Sequence, residues 1–289
     1  MISYESLWRK LESIYGAGEA KALVRYVLEV KYGFTATDIY CGKITQLSAE
    51  ACKELQKITE RLMNSEPVQY ILGSADFYGR TFRVRPGVLI PRPETEELCR
   101  WIIDSNRSVE NQQVLDLCTG SGCIAITLAL ELTGTTTTAW DIASEALTTA
   151  QENAELLGAN VKVEKQDVLL LNQKQSAKPQ TARDRQWDLI VSNPPYICEK
   201  EKADMHKNVL DFEPAIALFV PDLEPLRFYT AIADYAFHAL KTNGWLYFEI
   251  NPLYASDLQQ QLEASGFVHV ETQKDQYGKT RFIRAQKCE

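Results

Sequence analysis

Short groups of polar residues and glycines follow predicted strands, and their chemistry suits a nucleotide. Residues 116–122 carry the strand Gln113–Leu117 into a turn that contains Gly120 and Gly122. Glycines let the backbone approach a ligand closely, and free N–H groups at the start of the next helix attract an anionic group. From Gly120 the residues fit G-x-G-x-x-A, and Asp141 follows 19 residues after Gly122, where an acidic residue can bind a ribose hydroxyl. On these residues alone, a dinucleotide dehydrogenase is one candidate.

A second group has the chemistry to hold a planar nitrogen. Asn193, Pro194, Pro195 and Tyr196 come directly after a fourth predicted strand. Two prolines fix φ near about −65° and remove two N–H donors, so the chain leaves the sheet as a rigid arm. The Asn193 side-chain oxygen and the Pro194 carbonyl are then fixed acceptors for the two hydrogens of an NH2 group, and the Tyr196 ring can stack on it. A dehydrogenase has no use for this arrangement. Asp167, after the third strand, is a further candidate, as acceptor for an adenine amino group.

These groups need a sheet that brings the ends of its strands together. After Pro93, predicted to lie in the first turn of a helix, strand and helix patterns alternate. The predicted strands are residues 113–117, 135–142, 161–165, 187–192 and 245–250, with a closing pair near Val268 and Phe282. The predicted helices are residues 122–132, 145–157, 228–240 and 255–264. This alternation predicts an α/β fold with a doubly wound, mostly parallel sheet and ligands at the carboxyl ends of its strands.

The residues before this sheet have other patterns. Apolar stripes over the first 65 residues predict helices, with Ser48 as the cap of one of them. Residues 70–72, a turn at Gly79-Arg80 and the alternation that follows it predict a β-hairpin. We therefore predict a small helical N-terminal domain (residues 1–66), a β-hairpin linker (67–91) and a catalytic domain (92–289). Residues 171–186, polar and mixed in charge, are predicted to be an exposed loop insertion.

Composition limits the class of protein. The 289 residues are 45% hydrophobic and 24% charged, enough for a sizeable core, and 31 basic against 39 acidic residues give a net charge of −8. This balance offers no general basic field for nucleic acid. No apolar run is long enough to span a membrane, and residues 1–10 do not have the pattern of a signal peptide. Seven scattered cysteines and three distant histidines predict reduced thiols and no metal site. We expect a soluble, cytoplasmic protein, by default a monomer.

Together these groups resemble those of class I S-adenosylmethionine-dependent methyltransferases that act on planar nitrogen. Three further segments narrow the likeness: residues 67–73 (PVQYILG), 89–96 (LIPRPETE) and 212–214 (FEP). With them the chain resembles the release factor glutamine N5-methyltransferases, the HemK/PrmC family, over residues 67–285. The resemblance implies that peptide chain release factors are the protein substrate and that the helical N-terminal part recognises them. It also implies S-adenosylmethionine as the methyl donor and S-adenosylhomocysteine as the product.

The resemblance also implies roles for individual residues, which add to those inferred above. The candidates for cofactor binding are Asp116, Cys118, Thr119, Gly120, Ser121, Gly122, Asp141, Asp167, Val168 and Asn193. Asn193, Pro194, Pro195 and Tyr196 would hold the substrate glutamine, with Asn193 and Tyr196 as the catalytic candidates. Two positions depart from the family pattern: Cys118 stands where the family usually has glycine, and Glu249 is followed by Ile-Asn-Pro rather than a turn containing Gly and Gln. No role for Glu249 is therefore assigned from the sequence.

Other functions are open at this point. An N6-adenine methyltransferase of DNA or RNA is the closest alternative, because the adenine amino group presents the same planar NH2. Charge argues against it: residues 1–90 hold 12 basic and 10 acidic side chains and the remainder 19 and 29, so neither part offers a basic stripe, and no stable nucleic-acid binding is expected. A module that binds the cofactor without turnover is the remaining alternative.

Overall fold

A computed structural model describes residues 2–171 and 186–288 of the chain. Of the predicted loop insertion, residues 172–185 lie outside this range. The chain forms two compact units: Met1–Ser74 with His206–Phe212, and Ala75–Met205 with Glu213–Glu289. The domain boundaries predicted at residues 66 and 91 stay a prediction.

The first unit is built of helices, as its apolar stripes predict. Its elements are α1 (Tyr4–Tyr32), α2 (Ala36–Tyr40), a 3-10 turn (Lys43–Gln46), α3 (Ala49–Met63) and α4 (Val68–Leu72). Gly16 interrupts α1 with φ 75°. Ser48 caps α3 as predicted, since its side chain accepts a hydrogen bond from the Ala51 N–H at 3.2 Å. Leu11, Leu28 and Leu55 lie in the buried core that these helices share.

The strand predicted at residues 70–72 is wrong, because these residues end the helix α4. The Pro67 carbonyl accepts hydrogen bonds from the N–H groups of Tyr70 and Ile71, and Gly73 ends the helix with φ 72°. A strand pattern and one turn of a partly buried helix share the same apolar residue types, so local composition does not separate them.

The predicted hairpin is present but shorter. Its strands are β1 (Ser74–Phe77) and β2 (Arg80–Arg83). The turn is Tyr78-Gly79, one residue before the predicted position, and both residues have positive φ (50° and 71°), as a type I′ turn requires.

The second unit contains a seven-stranded sheet with helices between its strands. After α5 (Pro93–Asn106) come β3 (Gln113–Leu117), α6 (Cys123–Glu131), β4 (Thr136–Asp141), α7 (Ser144–Leu157), β5 (Val161–Lys165) and β6 (Trp187–Ser192). Then follow β7 (Ile197–Cys198), α8 (Lys207–Phe212, in the first unit), α9 (Ala215–Leu218) and β8 (Phe219–Val220). The chain continues through α10 (Arg227–Ala239), β9 (Leu240–Glu249), α11 (Ala255–Ala264), β10 (Phe267–Lys274) and β11 (Thr280–Lys287). The short pair β7 and β8 and the helices α8 and α9 are elements that the sequence analysis did not predict.

The strand order is β10-β11-β9-β6-β3-β4-β5. The pairs from β9 to β5 are parallel, while β11 runs antiparallel to both β9 and β10, so the predicted doubly wound, mostly parallel sheet is confirmed. The chain runs from β3 outward to β5 and then returns to the other side of β3 as β6. This reversal creates a crevice at the carboxyl ends of β3 and β6, where ligands bind in such folds.

The central strands are buried on both faces. Leu189, Ile190 and Val191 in β6 are each at most 1% exposed, as expected for a parallel strand covered by helices on either side. Within the residues that the structure describes, no helix has the length and apolar character needed to cross a membrane.

Candidate active site

The turn after β3 lies at the crevice and has an unusual backbone. Cys118, Gly120 and Gly122 have φ values of 61°, 57° and 81°, all in the left-handed region. Cys118 thus takes a backbone conformation that favours glycine, the residue usual at this position in the family that the chain resembles, at a cost of about 1 to 2 kcal/mol for an L residue. Burial raises the pKa of its thiol, so the thiol stays protonated and unreactive.

Asp116 supports this turn from behind. It is fully buried, and its Oδ2 accepts hydrogen bonds from Thr119 Oγ1 at 2.5 Å and from the Ala125 N–H at 3.1 Å. Desolvation raises the pKa of this carboxyl to about 7, although the two hydrogen bonds act in the opposite direction. Asp116 does not line the pocket in front of the turn; it connects the turn to the first residues of α6.

Asp141, at the end of β4, holds the other side of the turn. Its Oδ2 accepts from the Gly120 N–H and its Oδ1 from the Ala143 N–H, both at 2.9 Å. Desolvation raises the pKa of the carboxyl, against the opposing effect of these hydrogen bonds. Each carboxylate oxygen has two acceptor positions, so Asp141 can still accept hydrogen bonds from a ligand in the pocket that it lines.

A single pocket collects most of the predicted site residues. Those that line it are Cys118, Thr119, Gly120, Ser121, Asp141, Asp167, Val168, Asn193 and Pro195. Asp116, Gly122, Pro194 and Tyr196 do not line it. Asp167 accepts from the Leu169 N–H at 2.9 Å through Oδ1, which fixes the segment that carries Val168 against the pocket. These positions support the predicted cofactor roles, which stay predictions.

The arm after β6 begins where the turn after β3 begins. Ser192 pairs with Leu117 in the sheet, and its hydroxyl donates to the Leu117 carbonyl at 2.6 Å. Asn193 therefore stands beside Cys118, and both line the pocket. The Nδ2 atom of Asn193 lies 3.3 Å from Thr95 Oγ1, and the Tyr196 hydroxyl donates to Glu249 Oε1 at 3.0 Å.

Two residues near this arm were given no role from the sequence. Glu249, at the end of β9, is 2% exposed and accepts a hydrogen bond from Thr95 Oγ1 at 2.6 Å. Thr95 lies in α5 and lines the pocket. A carboxylate at the end of an apolar central strand is a signal for a functional residue. Because the residues after Glu249 depart from the family pattern, no role was assigned to it.

A further buried carboxylate, Glu213, was noted in the sequence only as part of a motif. It accepts from Arg92 Nη2 at 2.5 Å and from the Ile90 N–H at 3.1 Å. Both partners lie in residues 89–96, so two of the three segments that narrow the family resemblance are in contact.

Known proteins resemble the chain over nearly all its length. The family models for the PrmC N-terminal domain and the Methyltransferase small domain match residues 9–73 and 99–212. The release factor glutamine methyltransferase of Bacteroides thetaiotaomicron is 46% identical over 277 residues, 96% of either chain. That of Flavobacterium psychrophilum is 38% identical over 280 residues, which covers 95% of this chain and 94% of the relative.

Solved structures agree on the fold. A methyltransferase from Pyrococcus furiosus superposes with a TM-score of 0.51 at 17% identity, over 73% of this chain and 91% of that one. The T. thermophilus 16S rRNA N2 G1207 methyltransferase, solved with AdoMet and guanosine, gives 0.51 at 21% identity, over 74% and 49%. At such identities the likeness shows the class I methyltransferase fold alone. From the similarity over nearly its whole length, the chain belongs to the release factor glutamine methyltransferases, a family of S-adenosylmethionine-dependent enzymes.

Proposed function

We propose that this chain methylates the side-chain amide nitrogen of a glutamine in a peptide chain release factor. The observation that carries the proposal is the pairing of Ser192 with Leu117, which opens the arm at Asn193 onto the same pocket as the turn at Cys118. The arm at Asn193, which suits a planar amide, and the turn at Cys118, which suits a nucleoside, thus line one pocket. Because release factors act on ribosomes, we place the reaction in the cytoplasm.

The residues of the pocket fit S-adenosylmethionine. Asp141 has free acceptor positions for a ribose diol, Asp167 has a second carboxylate oxygen for an adenine amino group, and Val168 gives an apolar surface for the ring. The positive φ values of Gly120 and Cys118 keep the backbone of the turn open toward the pocket. When bound, S-adenosylmethionine supplies an electrophilic methyl group on its sulfonium.

An amide nitrogen is a poor nucleophile because its lone pair is delocalised into the carbonyl. Orientation is therefore the main contribution that the protein can make. In the proposed arrangement, Asn193 Oδ1 and the Pro194 carbonyl accept the two amide hydrogens, so that the nitrogen faces the pocket. No side-chain base is required, since the proton is lost to solvent after transfer.

The adenine alternative is not favoured. The curated relatives described above are named for glutamine in release factors, and the acidic balance of the chain gives no stripe for a nucleic-acid backbone. The dehydrogenase and the module without turnover are not favoured either, because the chain belongs to a family of methyltransferases.

The test is an incubation of the purified protein with labelled S-adenosylmethionine and, separately, a release factor or bulk nucleic acid, followed by mass mapping. We expect label on one glutamine side chain of the factor and none on nucleic acid. Asn193→Ala should abolish turnover while it weakens cofactor binding only in part. Asn160→Ala, an exposed position before β5, is the matched control and should be fully active. Label on adenine only, or normal turnover of Asn193→Ala, would contradict the proposal.

A further inference from the structure

Glu249 is linked by hydrogen bonds to both ends of the arm of residues 193–196, directly at Tyr196 and through Thr95 at Asn193. One of its carboxyl oxygens accepts from the Tyr196 hydroxyl at 3.0 Å, and the other from Thr95 Oγ1 at 2.6 Å. Thr95 Oγ1 in turn lies 3.3 Å from Asn193 Nδ2. We infer that Glu249 and Thr95 are positioning residues, which fix the direction of the Asn193 carboxamide and the place of the Tyr196 ring. The inference rests on the proposed role of Asn193 as the acceptor for the substrate amide.

The direction of the carboxamide follows from counting protons. The Thr95 hydroxyl has one proton, and the short contact to Glu249 uses it, because an ionised carboxylate can only accept. Thr95 Oγ1 is then an acceptor toward Asn193, so the NH2 group of Asn193 must face Thr95. Asn193 Oδ1 is left to face the other way. This is the direction in which an acceptor is needed for the hydrogens of a substrate amide.

This pattern of donors and acceptors depends on a carboxyl group of Glu249 that accepts on both oxygens. Its side chain is buried, and desolvation raises the pKa of its carboxyl above the ordinary value, against the opposing effects of the hydrogen bonds from Thr95 and Tyr196 and of the positive charge of Arg281. Arg281 is itself held by Asp275 at 3.2 Å, with its side chain 15% exposed. The geometry gives each carboxyl oxygen a donor, Thr95 at 2.6 Å and Tyr196 at 3.0 Å, which is the hydrogen-bonding pattern of a carboxylate that only accepts.

An amide in place of the Glu249 carboxylate would disrupt this pattern of hydrogen bonds while keeping the shape of the side chain. A glutamine has one acceptor oxygen and one donor nitrogen, so it cannot accept from both Thr95 and Tyr196. With its nitrogen toward Thr95, the Thr95 proton turns toward Asn193, and the Asn193 carboxamide must rotate to avoid two facing donors. With its nitrogen toward Tyr196, the Tyr196 hydroxyl loses its acceptor. Either outcome disturbs one end of the arm.

The variants that test the inference are Glu249→Gln, Thr95→Val and Thr95→Ser. Thr95→Val keeps the shape and removes the hydroxyl, whereas Thr95→Ser restores the hydroxyl. Thr127→Val is the matched control: Thr127 is fully buried in α6, does not line the pocket, and its hydroxyl has no hydrogen-bond partner among the described residues.

The measurements are kcat for methylation of the release factor and, separately, the Kd of S-adenosylmethionine by calorimetry. We expect kcat to fall by about 10- to 100-fold in Glu249→Gln and Thr95→Val, the loss typical of a misplaced reacting group. Thr95→Ser should recover most of the activity, and Thr127→Val should match the wild type. The Kd should change by less than about threefold in all four, because the cofactor contacts remain. A merely structural role would instead lower kcat, raise the Kd and reduce stability together.

Two failures are distinguishable. If the wild-type protein places no methyl group on a glutamine of the release factor, the proposed function fails. If the wild type is active and kcat is unchanged in Thr95→Val or Glu249→Gln, or Thr95→Ser is no better than Thr95→Val, the positioning role fails while the proposed function stands. Thermal unfolding of each variant is measured alongside, and a variant that is unfolded at the assay temperature is assayed again at a lower temperature where it is folded.

Discussion

Arg92 and Glu213 are 121 residues apart in the chain, yet Arg92 Nη2 donates to Glu213 Oε1 over 2.5 Å. The Glu213 side chain is 2% exposed, and its second oxygen accepts from the Ile90 N–H at 3.1 Å. Ile90 and Arg92 line the pocket, and so do Ile216 and Ala217, just after Glu213. One buried carboxylate therefore joins two segments of the pocket wall.

Removing the Glu213 carboxylate should destabilise this part of the pocket wall. Glu213→Ala leaves the Arg92 guanidinium and the Ile90 N–H without their acceptor, whereas Glu213→Gln can still accept from one of them. Removing one partner of a buried ion pair costs about 3 to 5 kcal/mol, and the partial exposure of Arg92 reduces this to about 2. We expect that loss in the free energy of unfolding of Glu213→Ala, about half of it in Glu213→Gln, and weaker binding of S-adenosylmethionine in both. Urea unfolding and calorimetry measure these effects.

The matched control for this prediction is Glu131→Ala. Glu131 accepts from Arg80 Nη2 at 2.5 Å, but both side chains of this pair are partly exposed. Exposed pairs contribute about 0 to 1 kcal/mol, so this variant should be nearly as stable as the wild type. Equal losses in Glu131→Ala and Glu213→Ala would mean that burial of Glu213 is not what makes its pair important.

Gly120 and Gly122 both have positive φ but differ in the space around them. A Cβ at Gly122 would lie 3.0 Å from Ile126 Cδ1 and 3.2 Å from the Ala150 Cα, whereas nothing lies within 4 Å of a Cβ at Gly120. Backbone strain alone should lower the free energy of unfolding of Gly120→Ala by about 1 to 2 kcal/mol. Overpacking should lower that of Gly122→Ala by about 1 to 3 kcal/mol more. Urea unfolding of the two variants tests this, and a Gly122→Ala protein no less stable than Gly120→Ala would contradict it.

The sequence predicted the sheet well because its signals are local. Strands such as Gln113–Leu117 and Trp187–Ser192 are mostly apolar and are followed within three residues by glycine or proline, and the structure has them at the predicted residues. The helix α4 was missed because five residues are too few for a helical period to appear. The pair β7 and β8 was missed because two-residue strands have no pattern of their own.

For the site, the sequence predicted which residue types meet but not what holds them. The ends of parallel strands lie at one edge, so the positions of Cys118, Asp141 and Asn193 beside one pocket follow from topology. The contacts of Glu249 with Thr95 and Tyr196 join residues 154 and 53 positions apart and depend on side-chain direction, which spacing does not give. Stacking was predicted for Tyr196 from its ring, and the partner of its hydroxyl had no signal in the sequence.

Asp141 should matter for the cofactor more than for the chemical step. Both of its oxygens hold backbone N–H groups, at Gly120 and Ala143, and Asp141→Ala leaves both without their acceptor. The variant also removes the acceptor proposed for the ribose hydroxyls, and a hydrogen bond to a charged group contributes about 1.5 to 3 kcal/mol, so we expect the Kd of S-adenosylmethionine to rise by about 10- to 100-fold. At saturating cofactor, kcat for the release factor should stay within a few-fold of the wild type. An unchanged Kd by calorimetry would argue against this placement.

Asp116 gives the protein a predictable dependence of stability on pH. The carboxyl is fully buried, its Oδ1 has no hydrogen-bond partner among the described residues, and desolvation raises its pKa from 3.8 to about 7. An acid whose pKa is higher in the folded state keeps its proton there while the unfolded chain loses it. The unfolded state then binds fewer protons between pH 3.8 and about 7, so stability falls as pH rises through this window.

The variant that isolates this effect is Asp116→Asn, which has the same shape and no titration. For the wild type, the free energy of unfolding in urea should include a loss of about 1 kcal/mol per pH unit between pH 4 and pH 7 that levels off above pH 7. Asp116→Asn should lack this contribution, so its stability relative to the wild type should rise with pH over the same range and then become constant. The difference between the two proteins cancels the titration of all other groups. A difference that is constant from pH 4 to pH 8 would mean that Asp116 is ionised in the folded protein at all these pH values.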